Sequence, residues 1–554
     1  MRSGGNENCP ASGRVTSLKA ANGVQLDALR DSAGRLTSLS YEGAEDVAAF
    51  SFGYDAAGNM VRKNESSFDY DMANRMTSAR ERGRFDNEKS AEKAQLGKAE
   101  GDYRGEDELS FAADQTVVLF DYGSMSVGVD LGGTYEVGRI TLDPRVTGHR
   151  IHADRFELLI ATYNMDGNWT KQTDLSFETT GTGEIIARFR IPVTARYVKL
   201  HCFYDDLKAD GNPADKATVR DPLITVGYFE TRRDESYEYD KKGNRKTVTT
   251  TFANRTTSSS YTYWSNTDRV KTDGTFAYVY DSNGNMVEKG TKFVETETEI
   301  QFFNNEGEYI KYEYDLANRM VRVLRSTTGK AAATERARYR YGPDGLRIAK
   351  TTSAGTRFYV YGLDGNKLSE ISSVSSTDTI WVLGKKFAEV ETVNSTATTT
   401  YLATDQVGSV IAATDENGKV IWQGTITAFG EKGGEAGLSD RTRSYTGKDW
   451  DEDASLIYFN ARWYDPELGR FVSEDPARDG VNWYAYTSRP LTSTDPTGLG
   501  VLEEYEYQKR TNTKDDVAVE KTDSGNNDSG ESESEPSFEQ KEKQKERYTD
   551  PDSS

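Results

Sequence analysis

One short unit recurs along this chain and constrains what it can fold into. It consists of an aromatic residue, an Asp, about two variable residues, Gly-Asn or Ala-Asn, and then Arg or Met leading an apolar stretch. It reads YDAAGNMVRK at 54–63, YDMANRMTSA at 70–79, YDKKGNRKTV at 239–248, YDSNGNMVEK at 280–289 and YDLANRMVRV at 314–323. Looser copies are DSAGRLTSL at 31–39, YGPDGLRIAK at 341–350 and YGLDGNKLSE at 361–370. In each, the Tyr closes one strand, the Asp opens a turn through its side chain, and Gly or Asn takes a position of positive φ. The residues that follow alternate, as in Met60-Val61-Arg62. Each unit therefore predicts a β-hairpin. A lone hairpin is marginal in water, so successive units must stack and bury one another's faces in a long sheet.

Composition narrows the function classes. Hydrophobic residues make up only 35%, but aromatics reach 11%, with 32 Tyr, which fits many half-buried short strands rather than general disorder. A net charge of −21 argues against a nucleic-acid partner. Three histidines, His149, His152 and His201, leave little for a Ser-His-Asp enzyme or a multi-His metal site. Two cysteines, Cys9 and Cys202, cannot build a disulfide framework. No run of 18 apolar residues occurs, so no membrane-spanning helix is expected. No P-loop, HExxH or GxSxG pattern is present, and no cofactor is expected. Asp449, Asp451 and Asp453 alternate like the start of a calcium loop. Ala454 and Asn460 stand where that loop needs Gly and Glu, so no metal is expected there. The opening MRSGGNENCPASG lacks the apolar core of a secretory signal and runs directly into the repeats. The chain therefore reads as the C-terminal piece of a longer reading frame, with the export route open.

The units resemble YD (RHS) repeats, known from bacterial toxin shells and animal teneurins, over roughly 20–80 and 230–400. The resemblance implies an all-β fold in which the hairpin array curls into a hollow shell. The pattern breaks at 80–107, a Glu-, Arg- and Lys-rich stretch expected to be a charged linker or short helix. A different series of strands follows: 127–142, 155–163, 183–203 and 224–231. This predicts an inserted β-sandwich (jelly roll) over 108–232. Its order is similar to discoidin-type, galactose-binding-like domains, which implies a surface glycan or a lipid headgroup as ligand. Trp169 is the aromatic placed for sugar stacking, with a packed loop anchor as the other reading.

From 401 the chain resembles the RHS repeat-associated core. The residues that carry this are YLATDQVGSVIAATDENGKVIWQGTITAFGE at 401–431, YTGK at 445–448, LIYFNARWYDPELGRFVSEDP at 456–476 and DPTGL at 495–499. The resemblance implies a plug that spirals inward, and aspartic self-cleavage between Leu499 and Gly500 by a pair mapping onto Asp475 and Asp495. Peptide hydrolysis by carboxylates needs one ionised group to take a proton from water and one neutral group to polarise or protonate the scissile amide. Two adjacent carboxyls split their titrations in that way. Pro476 and Pro496 hold each preceding Asp extended, and Gly498 lets backbone approach the cut closely. Arg470 either stabilises one ionised carboxylate or pairs structurally. Asp-Pro is also a common turn starter, as at Asp465-Pro466 and Asp143-Pro144. Arg478 stands where many relatives have Gly and Ser488 where many have Asn, and Asp479 is the alternative acid.

Beyond Leu499, residues 500–554 carry 16 acidic and 8 basic side chains and almost nothing apolar, which predicts a disordered acidic tail. The expected organisation is repeats at 1–79, linker at 80–107, sandwich at 108–232, repeats at 233–400, core at 401–499 and tail at 500–554. Two functions follow. One is the shell of a secreted or surface polymorphic-toxin system that releases its own C-terminal segment or cargo. The other is a cell-surface recognition or adhesion protein, with the repeats as scaffold and the discoidin-like domain as the binding part.

Overall fold

The Asp of each repeat closes its turn on itself. In the computed structural model, Asp71 Oδ1 accepts the backbone N–H groups of Ala73 and Arg75 at 2.9 and 3.0 Å, and Oδ2 accepts Arg75 Nε at 2.7 Å. Asp31 and Asp315 repeat this pattern with Arg35 and Arg319. Asp55, Asp240 and Asp281 repeat it with Asn59, Asn244 and Asn285. The expected positive-φ position is Gly at 58, 243 and 284 and Asn at 74 and 318. The structure describes residues 16–90, 95–96, 116–118, 124–143, 146–147, 156–161, 169–180, 183–203, 218–220, 223–437, 444–478 and 480–503. Among them there is no α-helix; one 3-10 turn, Lys330–Ala332, is the sole helical element.

Unit is joined to unit by the other recurring positions of the repeat. The hydroxyls of Tyr70, Tyr239 and Tyr341 donate to the carbonyls of Met60, Met76 and Met320 at 3.1, 2.8 and 2.6 Å. Arg75 lies over the Tyr239 ring at 5.1 Å and donates to the carbonyl of Asp240 at 2.6 Å. Arg35 and Arg319 lie similarly over Tyr54 and Tyr341. The Met that opens each second strand is fully buried at 60, 76, 286 and 320. The Tyr-Asp spacing thus sets the turn, the tie to the neighbouring unit, and a buried row of Met.

The strands form two 16-stranded antiparallel sheets. One runs from Ser17–Lys19 through Met76–Ser90 to Leu223–Tyr239 and on to Ser124–Asp143, Ile185–Phe203, Phe156–Ala161 and Thr170–Gln172; the other runs in sequence order from Thr262–Tyr263 to Lys432–Gly437. A five-stranded sheet within 444–471 packs on both. Arg245 of the first sheet donates from Nη1 to Glu467 O at 3.1 Å, while on the second Met286 N donates to Val472 O and Arg347 N to Tyr458 Oη, both at 2.9 Å, and Tyr464 Oη donates to Phe429 O at 2.7 Å.

The expected linker and insert boundaries are corrected here. Residues 80–90 are not a linker or helix but the second half of the strand Met76–Ser90, and the boundary at 232 falls inside the strand Leu223–Tyr239. These two long strands pair with each other, from Ser78 opposite Ser236 to Ser90 opposite Thr225. Leu223–Tyr239 then pairs with Ser124–Asp143, so the described strands of 124–203 continue the repeat sheet. The charges of 80–90 are paired across strands rather than solvated. Arg82 meets Asp234 at 3.0 Å, Arg84 meets Glu136 at 2.8 Å, and Arg139 meets Glu88. Thr116–Val118, Val146–Thr147 and Thr218–Arg220 form a separate three-stranded sheet. The remainder of the expected linker, most loops of the insert, residues 1–15 and the tail from 504 lie outside the described residues.

Where the two sheets meet, two buried carboxylates, Glu81 and Glu235, stand beside the half-buried Glu431. Arg233 Nη2 donates to Glu235 at 2.8 Å and also to Glu431, while Glu81 Oε1 accepts the Ala428 N–H at 3.0 Å. Burial and then the Glu235 charge push Glu81 up to about 8 and Glu431 up to about 7. Lys63, Arg233 and Arg245 act in the opposite direction. A carboxyl with a raised folded pKa favours folding while it is protonated, and that advantage is lost as pH rises through the folded value. The melting temperature is therefore expected to fall by several degrees between about pH 5 and 8, from the ordinary carboxyl value to the raised ones. Glu81→Gln, neutral throughout, should flatten the dependence in a thermal melt series; an unchanged slope would show that Glu81 is already ionised.

Candidate active site

A single guanidinium organises the site. Arg462 opens the strand Arg462–Asp465, after a turn in which Asn460 takes φ 61°. Its neighbours in the small sheet, Tyr445, Ile457, Phe459, Tyr464 and Phe471, form a largely aromatic core together with Tyr486. Arg462 lies 3.7 Å above the Phe471 ring and is only 3% exposed. A buried cation needs anionic or carbonyl partners. Nη2 donates to Asp495 Oδ2 at 2.9 Å, Nη1 lies 3.8 Å from Asp475 Oδ2 and donates to Trp483 O at 3.2 Å, and Nε donates to Gly498 O. Asp475 and Asp495, 20 residues apart in sequence, are thus gathered at one guanidinium.

Asp495 follows the short strand Ser493–Thr494, which pairs with Leu502–Glu503. The residues between form a loop closed on the Asp495 side chain. Oδ1 accepts the N–H groups of Gly498, Leu499 and Gly500 at 2.8, 3.1 and 3.1 Å. The last of these is the amide nitrogen of the Leu499–Gly500 bond. Asp495 is fully buried. Burial raises its pKa, against the opposing effects of the Gly500 N–H and Arg462. Gly498 has φ 76°, and a Cβ there would strike the Phe459 carbonyl oxygen and the Arg462 nitrogen. Gly498→Ala is accordingly expected to open this loop, with at least about 1–2 kcal/mol from the left-handed backbone alone. Urea titration of the two proteins measures the difference.

Asp475 is buried, with its backbone N–H on Trp483 O and its Oδ1 accepting the Ala477 N–H, both at 2.9 Å. Arg478, two residues beyond Pro476, takes φ 52°, and its guanidinium lies over Trp483 at 4.9 Å. The chain at this departure from the family pattern therefore adopts a glycine-like conformation with an arginine. Ser488 contributes its carbonyl, 3.4 Å from the Met76 N–H. Asp479 lies outside the described residues.

Arg470 does not reach the pair. Its Nη2 donates to Asp268 O at 2.7 Å and to Asn482 Oδ1 at 3.4 Å, and its guanidinium lies over Tyr484 at 5.0 Å. Arg462 was missed by sequence reasoning, although a signal existed. It is the one cation in the run LIYFNARWYD, and a lone cation among aromatics must find a buried counter-ion. Asp465, the other Asp of an Asp-Pro pair nearby, accepts the N–H groups of Glu467 and Leu468 and meets Lys289 at 3.1 Å, a turn and an ion pair. Asp449, Asp451 and Asp453 point to different cations: Asp449 to Lys367 and Lys386, Asp451 to Arg347 and Lys350, Asp453 to Lys350. Trp169 is half-buried just before the strand Thr170–Gln172, and it does not line the cavity that contains the Asp pair.

That cavity, about 520 Å³, is walled by Asp475, Asp495, Arg462, Arg470 and Tyr486, and Gly500 and Val501 lie along it.

Known proteins similar to this chain include the double-stranded DNA deaminase toxin A of Burkholderia cenocepacia, 28% identical over 225 residues, 34% of this chain and 15% of that protein. The tRNA3(Ser)-specific nuclease WapA of Bacillus spizizenii is 28% identical over 277 residues, 47% of this chain and 11% of that one. Toxin protein Tse5 of Pseudomonas aeruginosa is 27% identical over 259 residues, 40% and 18% respectively. The chain spans less than a fifth of the length of each. A crystal structure of TcdB2-TccC3-Cdc42 aligns over 92% of this chain and 20% of its own, with 14% identity and a TM-score of 0.47. The family model described as Teneurin YD-shell matches residues 219–508, more than half of the chain, and it covers the second repeat sheet, the aromatic core and both aspartates. The chain belongs to the teneurin YD-shell family.

Proposed function

We propose that this chain is the shell part of a bacterial toxin system and that it cuts itself between Leu499 and Gly500. The observation that carries the cleavage reading is the contact between Asp495 Oδ1 and the Gly500 nitrogen at 3.1 Å, in a carboxyl whose proton burial helps to retain. Asp475 takes a proton from a water that attacks the Leu499 carbonyl carbon. Asp495 gives its proton to the Gly500 nitrogen as the C–N bond breaks. The products are a carboxyl terminus at Leu499 and an amino terminus at Gly500. Arg462 positions both carboxyls and holds the Gly498 carbonyl beside them. The matches cover only 15% and 18% of two relatives named as toxins, so those proteins extend far beyond the shared part, which supports a shell whose role is to enclose and release a segment of its own polypeptide. Intact mass and N-terminal sequencing of the purified protein test this reading. A fragment starting at Gly500, formed without added protease, is the expected result; a chain that stays full length overturns it.

A further inference from the structure

Left-handed backbone suits glycine, and an asparagine can offset its cost with local hydrogen bonds. Among the described residues, Arg478 at φ 52° is the only charged residue at positive φ. A strained residue of this kind persists where its other contacts offset the strain. The Arg478 side chain reaches Trp483, with its guanidinium 4.9 Å from the ring centre.

The Trp483 carbonyl is shared by both halves of the site. It accepts the Asp475 N–H at 2.9 Å and Arg462 Nη1 at 3.2 Å. Arg462 Nη2 in turn donates to Asp495. Asp475 also opens the turn that contains Arg478: its Oδ1 accepts the Ala477 N–H at 2.9 Å and its carbonyl accepts the Arg478 N–H at 3.0 Å. Arg478 thus starts from the turn of one aspartate and returns, through its side chain, to the residue that ties this aspartate to the guanidinium of the other. A displaced Trp483 would move Asp475 and Arg462 together.

We propose that Arg478 is a positioning residue for the cut, and that its stack on Trp483 holds the carbonyl that Asp475 and Arg462 share. The inference rests on the self-cleavage reading. A glycine at 478 would relieve the backbone but could not make this contact, so positioning and plain stability respond with opposite signs.

The test follows the loss of full-length chain with time after pulse-labelled cell-free synthesis. Urea midpoints are measured for the same substitutions in the Asp495→Asn chain, so that cut and uncut molecules are not mixed. Arg478→Gly and Arg478→Ala should cut roughly two- to fivefold more slowly, the range of a solvent-exposed cation–π contact. The urea midpoint of Arg478→Gly should stay level or rise, because glycine accepts the left-handed backbone. Arg478→Lys should recover part of the rate, since an ammonium can sit over the indole but lacks the planar stack. Trp483→Leu should also slow the cut, and Arg478→Gly combined with Trp483→Leu should be no slower than the slower single variant, because both remove one contact. Cutting by Arg478→Gly at the parental rate overturns this inference alone, as do losses that multiply in the double variant. A parent that stays full length brings down the cleavage reading and this inference with it.

Discussion

Changing Asp495 to Asn is expected to stop cleavage between Leu499 and Gly500, leaving one chain of full mass where the parent gives two. The amide keeps an oxygen for the N–H groups of Gly498, Leu499 and Gly500, which Asp495 Oδ1 accepts at 2.8–3.1 Å. It has no proton to give to the Gly500 nitrogen. Asp475→Asn should fail equally, because it cannot take the proton from water and an acid–base pair works as a unit. Losing one such group costs about 10²–10⁴ in rate, enough to hold the chain intact over a purification. Since the bond and the pair belong to one molecule, the parent rate should not depend on protein concentration. It should fall as pH rises through the raised folded pKa of Asp495, where the acid loses its proton. Cleavage that survives either substitution would reassign the chemistry, with Asp479 next to be tested. A rate that climbs with alkaline pH would remove Asp495 from the role of acid.

Arg462→Met should be among the most destabilising single changes in this protein. The substitution leaves Asp495 buried without its ion pair at 2.9 Å and Asp475 without the nearby charge at 3.8 Å. The Gly498 and Trp483 carbonyls lose their donors as well. Removing one member of a buried pair costs about 3–5 kcal/mol. The pH dependence separates this cause from simple repacking. A protonated carboxyl needs no counter-ion, so the gap between parent and variant in a urea titration should narrow as pH falls and Asp495, whose pKa burial raises, takes up its proton. A gap that is the same at acid and neutral pH would show that packing over Phe471, not charge, is what Arg462 provides. Arg462→Lys should recover only part of the loss, because a single ammonium cannot span both carboxylates and two carbonyls as the planar fork does.

The sequence by itself determined the repeat. Asp71 binds the N–H groups of Ala73 and Arg75, and Asn74 takes the left-handed position next to them, all within five residues. Interactions that close inside one turn are readable because no distant partner is needed. The all-β class followed from repeating them, and the resemblance to the RHS core drew attention to Asp475 and Asp495. Tertiary structure decided the rest. Residues 80–90 look solvated because seven of these eleven residues are charged. They are strand because Asp234 and Glu136, distant in sequence, face Arg82 and Arg84. Arg470, next to the Asp-Pro motif in sequence, points instead to Asn482 and the Asp268 carbonyl. Arg462 takes its place because the strand Arg462–Asp465 and the loop after Thr494 meet only when the aromatic core of Phe459, Tyr464, Phe471 and Tyr486 has packed between them. Charge seeks its partner across space, and the spacing of residues along the chain does not say which partner burial will bring within reach.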